Sequence, residues 1–244
     1  LTPKGTIHTK IGQMTGTGRY TSSEINLQKL VKNAEDDLIK AAARALQIDR
    51  KEIATLRSIF VAPPGYIFIE ADYSSAEVFT LGYLSGDKVL LDDAKKDIHS
   101  RNAVALLGAP KYEGYDEGKK PSSEWKEEYS ALRSGAKELS FGIPYGKAGK
   151  SMARSITLKS GVPCTQEQAD GYIKAWQKKY AKAYKFLVES GVSATTKWAV
   201  TTPFGRSRNF PPTTSNKKLS AYKREAFNMP IQGTVGDILT LSLI

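Results

Sequence analysis

Two groups of residues have the types and spacing to do chemistry. The first is Asp72-Tyr73-Ser74-Ser75-Ala76-Glu77, which follows the apolar, β-branched stretch Tyr66–Ala71. A carboxylate delivered at the end of a buried strand is a natural oxygen ligand for Mg²⁺, although acids also end strands with no such role. The second group is Arg133, Lys137, Phe141 and Tyr145, placed at steps of four. On a helix that spacing lines two cations, a ring and a phenol along one face. Arg and Lys bind phosphates as a fork and a point charge respectively, and rings stack on bases, so the face suits a nucleotide. The same spacing also suits a partly buried helix with a wet rim. Cys164 is the only cysteine, so disulfide scaffolds and cysteine metal sites are excluded and any metal needs oxygen ligands.

Several elements must position these groups. Tyr66–Ala71, after Pro63-Pro64-Gly65, is expected to be a short buried strand. Asn33 followed by Glu35, Asp36 and Asp37 opens an amphipathic helix running to Leu46, and Asp49 with Glu52 opens a second. Residues 109–124, rich in Gly, Pro, Lys and Glu, form a surface loop. Pro144 lacks the amide that would bond back to Ser140, so the helix of the second group ends or kinks just before Tyr145. Thr165 with Gln168 is a capping box, and Tyr172, Trp176 and Tyr180 are the buried side of the helix that follows, with Lys174, Lys178, Lys179, Lys182 and Lys185 on the solvated side. Trp198–Thr202 and Arg206–Phe210 form a β-hairpin. His8 and Cys164 are bystanders, and His99 opens a helix. The class is mixed α and β.

The chain has 244 residues, 40% hydrophobic and 25% charged, a composition able to bury a core. Its net charge of +11 is unevenly placed. Residues 1–146 hold 20 basic and 20 acidic side chains, residues 147–244 hold 16 and 5, and Lys197–Arg224 holds seven basic residues and no acid. A one-sided basic field attracts polyanions, and nucleic acid is the leading partner on electrostatics. No apolar run is long enough to cross a bilayer and Leu1–Lys10 has no signal-peptide core, so an intracellular protein is expected, in the cytoplasm or in a host cell if viral. Leu1 and the apolar run Gly236–Ile244 both read as cut ends of a fragment.

The residues in order resemble the polymerase domain of family A DNA polymerases, the DNA polymerase I family. Thr17-Gly18-Arg19 with Ser22, Ser23, Asn26, Leu27 and Gln28 resembles the family's primer-template contacting segment. Asp72-Tyr73-Ser74 with Glu77 resembles motif A, and Leu84-Ser85-Gly86-Asp87 followed by Asp97-Ile98-His99 resembles the stretch leading into the fingers. Arg133, Lys137, Phe141-Gly142 and Tyr145-Gly146 resemble motif B. Gly205-Arg206 and Asn228-Met229-Pro230-Ile231-Gln232-Gly233-Thr234 resemble the palm segment before motif C.

The resemblance implies an α+β right-hand fold, with palm at 1–95 and 190–244, fingers at 96–189, and a helical insertion at about 29–57. It implies template-directed addition of deoxynucleotides to a primer 3′ end in DNA replication or repair, with two Mg²⁺ ions. In that scheme Asp72 and the Tyr73 carbonyl hold metal, and Lys137 meets the phosphates and acts as general acid to the leaving pyrophosphate. Arg133 and His99 lie near the triphosphate, Glu77 blocks a ribose 2′-hydroxyl, Tyr145 packs beside the nascent pair, and Phe141 governs tolerance of a missing 3′-hydroxyl. Arg19, Asn26, Gln28, Arg206, Asn228 and Gln232 touch DNA. Motif C, a His-Asp-Glu turn with the second metal-binding aspartate, does not occur before Ile244, and Asp237 is no substitute because it lies inside the preceding helical segment. Motif A departs at Ser75-Ala76 and Val78-Phe79, where most relatives carry Gln-Ile and Leu-Arg, so that arginine's contact is lost. Nothing names a processivity factor. Two rival readings are a DNA-binding module without catalysis and a single-subunit RNA polymerase relative, against which the size of Glu77 argues.

Overall fold

The computed structural model describes residues 7–13, 15–29, 45–47 and 60–243, in two compact units, Leu1–Tyr73 and Ser74–Ile244. Both helices expected between Asn33 and Arg57 fall outside these residues, apart from 45–47.

In the first unit β1 (Lys10–Gly12) pairs antiparallel with β2 (Thr21–Ser23), Lys10 opposite Ser23 and Gly12 opposite Thr21. A 3₁₀ turn, Leu27–Lys29, folds back on this ribbon. Buried Ser22 fastens it: its hydroxyl donates to the Ile25 carbonyl at 3.0 Å and accepts the Leu27 amide at 3.1 Å. The buried strand expected at Tyr66–Ala71 is absent. These residues adopt neither helix nor strand, and Tyr66, Ile67, Phe68 and Ile69 are 74%, 81%, 70% and 85% exposed. Apolar and β-branched residues favour a pleated, half-buried surface, which requires a neighbouring strand. None among the described residues pairs with this stretch.

The second unit is built from helices α1 (Ala76–Ser85), α2 (Lys88–Lys95), α3 (Ile98–Leu107), α4 (Ser123–Glu128), α5 (Ser130–Gly142), α6 (Gly149–Ser160), α7 (Gln166–Lys179), α8 (Ala181–Thr196) and α9 (Asn216–Leu241). The hairpin β3 (Ala199–Thr201) and β4 (Ser207–Asn209) lies between α8 and α9, as its sequence predicts. Polar caps set the helix starts. The Thr165–Gln168 capping box opens α7, and Asp87 caps two helices at once, accepting the Leu90 amide of α2 at 3.0 Å and the Ala183 amide of α8 at 3.1 Å. Leu81, Leu90, Ile98, Leu139, Met152, Ile156 and Leu187 fill the main core. A smaller core of Ala194, Val200, Phe210, Ala226 and Met229 joins the hairpin to α9.

Trp176 and Tyr180 are buried as expected, with Tyr180 donating to Asp93 at 2.7 Å, while all five lysines of α7 and α8 are exposed. Residues 108–122 hold no helix or strand, but they are more than a surface loop. Ala109, Tyr112 and Pro121 are buried, and Tyr112 meets Trp125 edge-on with ring centres 5.0 Å apart. These helices and two small antiparallel sheets are of the expected α+β class. No helix among the described residues is long and apolar enough to cross a membrane.

Candidate functional site

On α5 the step of four holds as far as Phe141, and the regular helix stops at Gly142. Pro144 has no amide to continue it. The Tyr145 amide still reaches the Phe141 carbonyl at 3.3 Å, Gly146 turns the chain at φ 67°, and the Lys147 amide closes on the Gly142 carbonyl at 2.9 Å. Arg133 holds Asp97 through one nitrogen, Nη2 lying 3.2 and 3.1 Å from the two carboxylate oxygens, and its Nε donates to Ser100 Oγ at 3.1 Å. Asp97 takes a left-handed φ of 59° and also caps α3, so this cap, and not His99, opens the helix.

Charges in this cluster shift one another. Burial works to raise the Asp97 carboxyl, but Arg133 and the Ser100 amide outweigh it and hold it below the usual carboxylate range. Burial, then Arg133 and Lys159 against the pull of Asp97, lower Lys137 from the usual lysine range. His99 is 3% exposed and stacks on Phe141 at 5.3 Å between ring centres. Burial and the neighbouring Arg133 lower its pKa to about 4, against the attraction of Asp97. The face therefore presents a neutral imidazole, a ring, an arginine already paired and a lysine with no carboxylate of its own among the described residues. A phosphate would find Lys137 as an unneutralised point charge beside the outer donors of Arg133.

A second cluster gathers side chains far apart in sequence. Gln232, buried on α9, donates from Nε2 to Glu77 Oε1 of α1 at 3.2 Å and to the Tyr145 hydroxyl. One turn earlier on α9, Asn228 Oδ1 is buried without a hydrogen-bond partner. Five residues further along α9, Asp237 accepts from Arg206 Nε at 2.9 Å and Nη2 at 2.6 Å, and from Thr202 Oγ1 at 3.2 Å. Arg206 is thus anchored by a buried carboxylate.

With this geometry in place, comparison with known proteins is decisive. The profile of DNA polymerase family A matches residues 1–244. The chain belongs to DNA polymerase family A. It is 32% identical over 246 residues to DNA polymerase I of Caldicellulosiruptor bescii, covering 98% of this chain and 25% of that protein. It is 29% identical over 260 residues to the chloroplastic/mitochondrial DNA polymerase I A of Arabidopsis thaliana, covering 98% of this chain and 22% of that protein. Among solved structures, the polymerase domain of Pol1 from M. smegmatis in complex with DNA primer-template and dNTP is similar, with a TM-score of 0.71 and 26% identity over 99% of this chain and 37% of that one. The chain spans about a quarter of the length of the curated relatives it matches.

The second unit brings Arg133, Lys137, Phe141 and His99 together in one cluster, and Glu77, Tyr145 and Gln232 in another. In the first unit of this family A chain, Asp72 and Tyr73 are exposed at its end. Arg19 is exposed, Asn26 accepts the Lys29 amide at 3.2 Å, and Gln28 spends both ends of its amide on the Ser22 and Tyr20 backbone. Among the described residues no group of three or more His, Cys, Asp or Glu side chains is drawn together to hold a metal. Asp72 with the Tyr73 carbonyl is a hard oxygen donor set. It fits a Mg²⁺ ion completed by water and substrate phosphates, and not a self-contained cage.

Sequence reasoning missed three features. Asp97 as the partner of Arg133 lies 36 residues away. Asp237 was recognised as helical but not as the anchor of Arg206. Glu138, buried on α5, is bound by Lys147 and Lys159. Only the Asp97 position before a helix carried a local signal, that of a cap.

Proposed function

We propose that this chain supplies much of the palm and fingers of a DNA-directed DNA polymerase, and that the protein containing it adds deoxynucleotides to a primer 3′ end on a DNA template inside the cell. The boundaries that best fit this reading are palm at 1–95 and 190–244 and fingers at 96–189. The observation that carries it is the meeting of Glu77, Gln232 and Tyr145, three side chains up to 155 residues apart in sequence, in one hydrogen-bonded group. Such a group presents a polar wall whose side chains come from three separate stretches of the chain.

Each residue then has a task. Arg133 and Lys137 receive the triphosphate, and Phe141, backed by His99, offers its ring to the base or sugar. Lys137 donates its proton to the departing pyrophosphate, a role favoured by a pKa lowered toward working pH. Glu77, held by Gln232, obstructs a ribose 2′-hydroxyl. Asp72 and the Tyr73 carbonyl would hold Mg²⁺, which when bound neutralises phosphate charge and activates the attacking hydroxyl. Arg206, Asn228 and Gln232 of the second unit, and separately Arg19, Asn26 and Gln28 of the first, are the residues that would touch primer-template.

The test is primer extension by a polymerisation-competent protein carrying this chain, with Asp72→Ala beside the wild type. Extension should be abolished while primer-template affinity changes less than about threefold, since a single carboxylate contributes little to phosphate binding. Unchanged extension would overturn the metal assignment. Salt-sensitive binding with no extension by the wild type would make this a DNA-binding module instead.

A further inference from the structure

Glu138 is the only acidic residue of α5, and the residue is buried at 7% exposure. A carboxylate taken out of water in the middle of a helix is costly unless charged partners reach it. Two do. Lys147 Nζ donates to Oε2 and Lys159 Nζ to Oε1, and Lys147 also donates to Ser155 Oγ at 2.9 Å. Lys159 belongs to the last turn of α6, whereas Lys147 stands in the turn just after α5, two residues beyond Tyr145. One carboxylate therefore fastens the end of that turn to α5 and to α6 together.

The turn itself has little slack. The fixed φ of Pro144 and the left-handed Gly146 flank Tyr145, and the Gly146 and Lys147 amides bond back to Ile143 and Gly142 at 2.9 Å each. The Lys147 stem lies across Gly142, where an added Cβ would sit 3.3 Å from Lys147 Cδ and 2.7 Å from Met152 Cε. Replacing a buried ion pair by apolar groups is often neutral for stability, so such pairs are poor evidence of a purely stabilising role.

We infer that Glu138 is a positioning residue: through Lys147 and Lys159 it fixes the Ile143–Lys147 turn so that Tyr145 meets Gln232 and Glu77, and so sharpens the choice of deoxyribonucleotide over ribonucleotide. The sugar-selection half rests on the reading of Glu77 given under Proposed function. The turn-fixing half stands on the hydrogen bonds alone.

Glu138→Gln keeps the volume but cannot hold two ammonium groups. In the polymerisation-competent protein carrying this chain, it is expected to speed hydrogen exchange at the Gly146 and Lys147 amides relative to those of α7. It should also reduce the ratio of kcat/KM for a deoxynucleotide over the matching ribonucleotide by about tenfold, what the loss of one hydrogen bond to a charged group delivers. Leu187→Ala, which opens the core of α8 far along the chain from this turn, provides the control for general destabilisation and should leave the ratio unchanged. Unchanged exchange at the two amides overturns the clamp, and an equal loss of selectivity in Leu187→Ala overturns the sugar-selection half. Where the wild type discriminates, an unchanged ratio in Glu138→Gln likewise overturns the sugar-selection half. Glu77→Ala separates the two ideas: discrimination surviving that change would sink the gate, while the exchange data would still decide the clamp.

Discussion

At His99 a proton would be both desolvated and repelled, because the ring is buried against Phe141 with Arg133 and Lys137 nearby and only Asp97 opposing them. Its pKa of about 4 lies below the value near 6.5 expected of an unfolded chain. As pH falls the unfolded state takes up the proton first, so this residue's contribution to stability is complete above pH 6.5 and is lost between about 6.5 and 4. His99→Gln removes that dependence. Denaturant midpoints measured from pH 7 to 4.5 should fall by the equivalent of about 2–3 kcal/mol more steeply in the wild type than in the variant, and parallel profiles would refute the burial argument. Asp93, Asp97 and Glu138 act in a separate window. Their carboxyls are raised by burial but lowered further by lysine and arginine partners, so they stabilise above the unfolded carboxylate range and lose that effect only as pH falls below about 4. At this scale the helical ladder Arg133-Lys137-Phe141 was legible because its period is local. Glu138 with Lys147 and Lys159 was not, because separations of 9 and 21 residues obey no helical period.

Among elements, α5 and α6 meet closely at Gly135, where a Cβ would lie 2.6 Å from Ser160 Cβ of α6 and 3.1 Å from Leu107 Cδ1 of α3. Ser160 Cβ is bonded to backbone and cannot swing away, so Gly135→Ala must push the helices apart. A loss of about 1–3 kcal/mol is expected, even though alanine favours a helix by about 1 kcal/mol over glycine. Gly171 on α7 has no atom within 4 Å of such a Cβ, and there the same substitution should stabilise by about 0.5–1 kcal/mol. Urea unfolding of the two variants checks both signs, and a stabilised Gly135→Ala would show that the helices do not meet as described. Elements governed by local chemistry could be read in advance: the Thr165–Gln168 cap, the hairpin around Gly205, and the end of α5 before Pro144. Tyr66–Ala71 could not, since its composition describes a strand but a ladder must come from elsewhere in the chain. Pro230 lies inside α9, which runs on through it to Leu241.

Across the whole molecule the basic excess of residues 147–244 is unevenly available. In Lys197–Arg224, Arg206 is spent on Asp237 and Arg208 on Glu225 at 3.1 Å, whereas Lys217 and Lys218 are exposed with no carboxylate partner among the described residues. Both stand in the first turn of α9, which carries no acid. Cations at that end oppose the helix dipole, so they add to a positive field instead of completing the helix. Under the function proposed above, the partner such a field would meet is primer-template phosphate. Binding should then release counterions. The affinity for duplex DNA should fall linearly with salt on logarithmic axes, and Lys217→Gln with Lys218→Gln should reduce the slope by about 1–2 while weakening all sequences alike. Arg208→Gln, which frees Glu225 as it removes a paired cation, should change the slope by less than the lysine pair does. Fluorescence anisotropy titrations between about 50 and 200 mM salt, the span over which phosphate contacts are most sensitive, would decide it. A slope unmoved by the lysine pair would take the start of α9 off the DNA path and leave the exposed lysines of α7 and α8 as the surface that carries the charge.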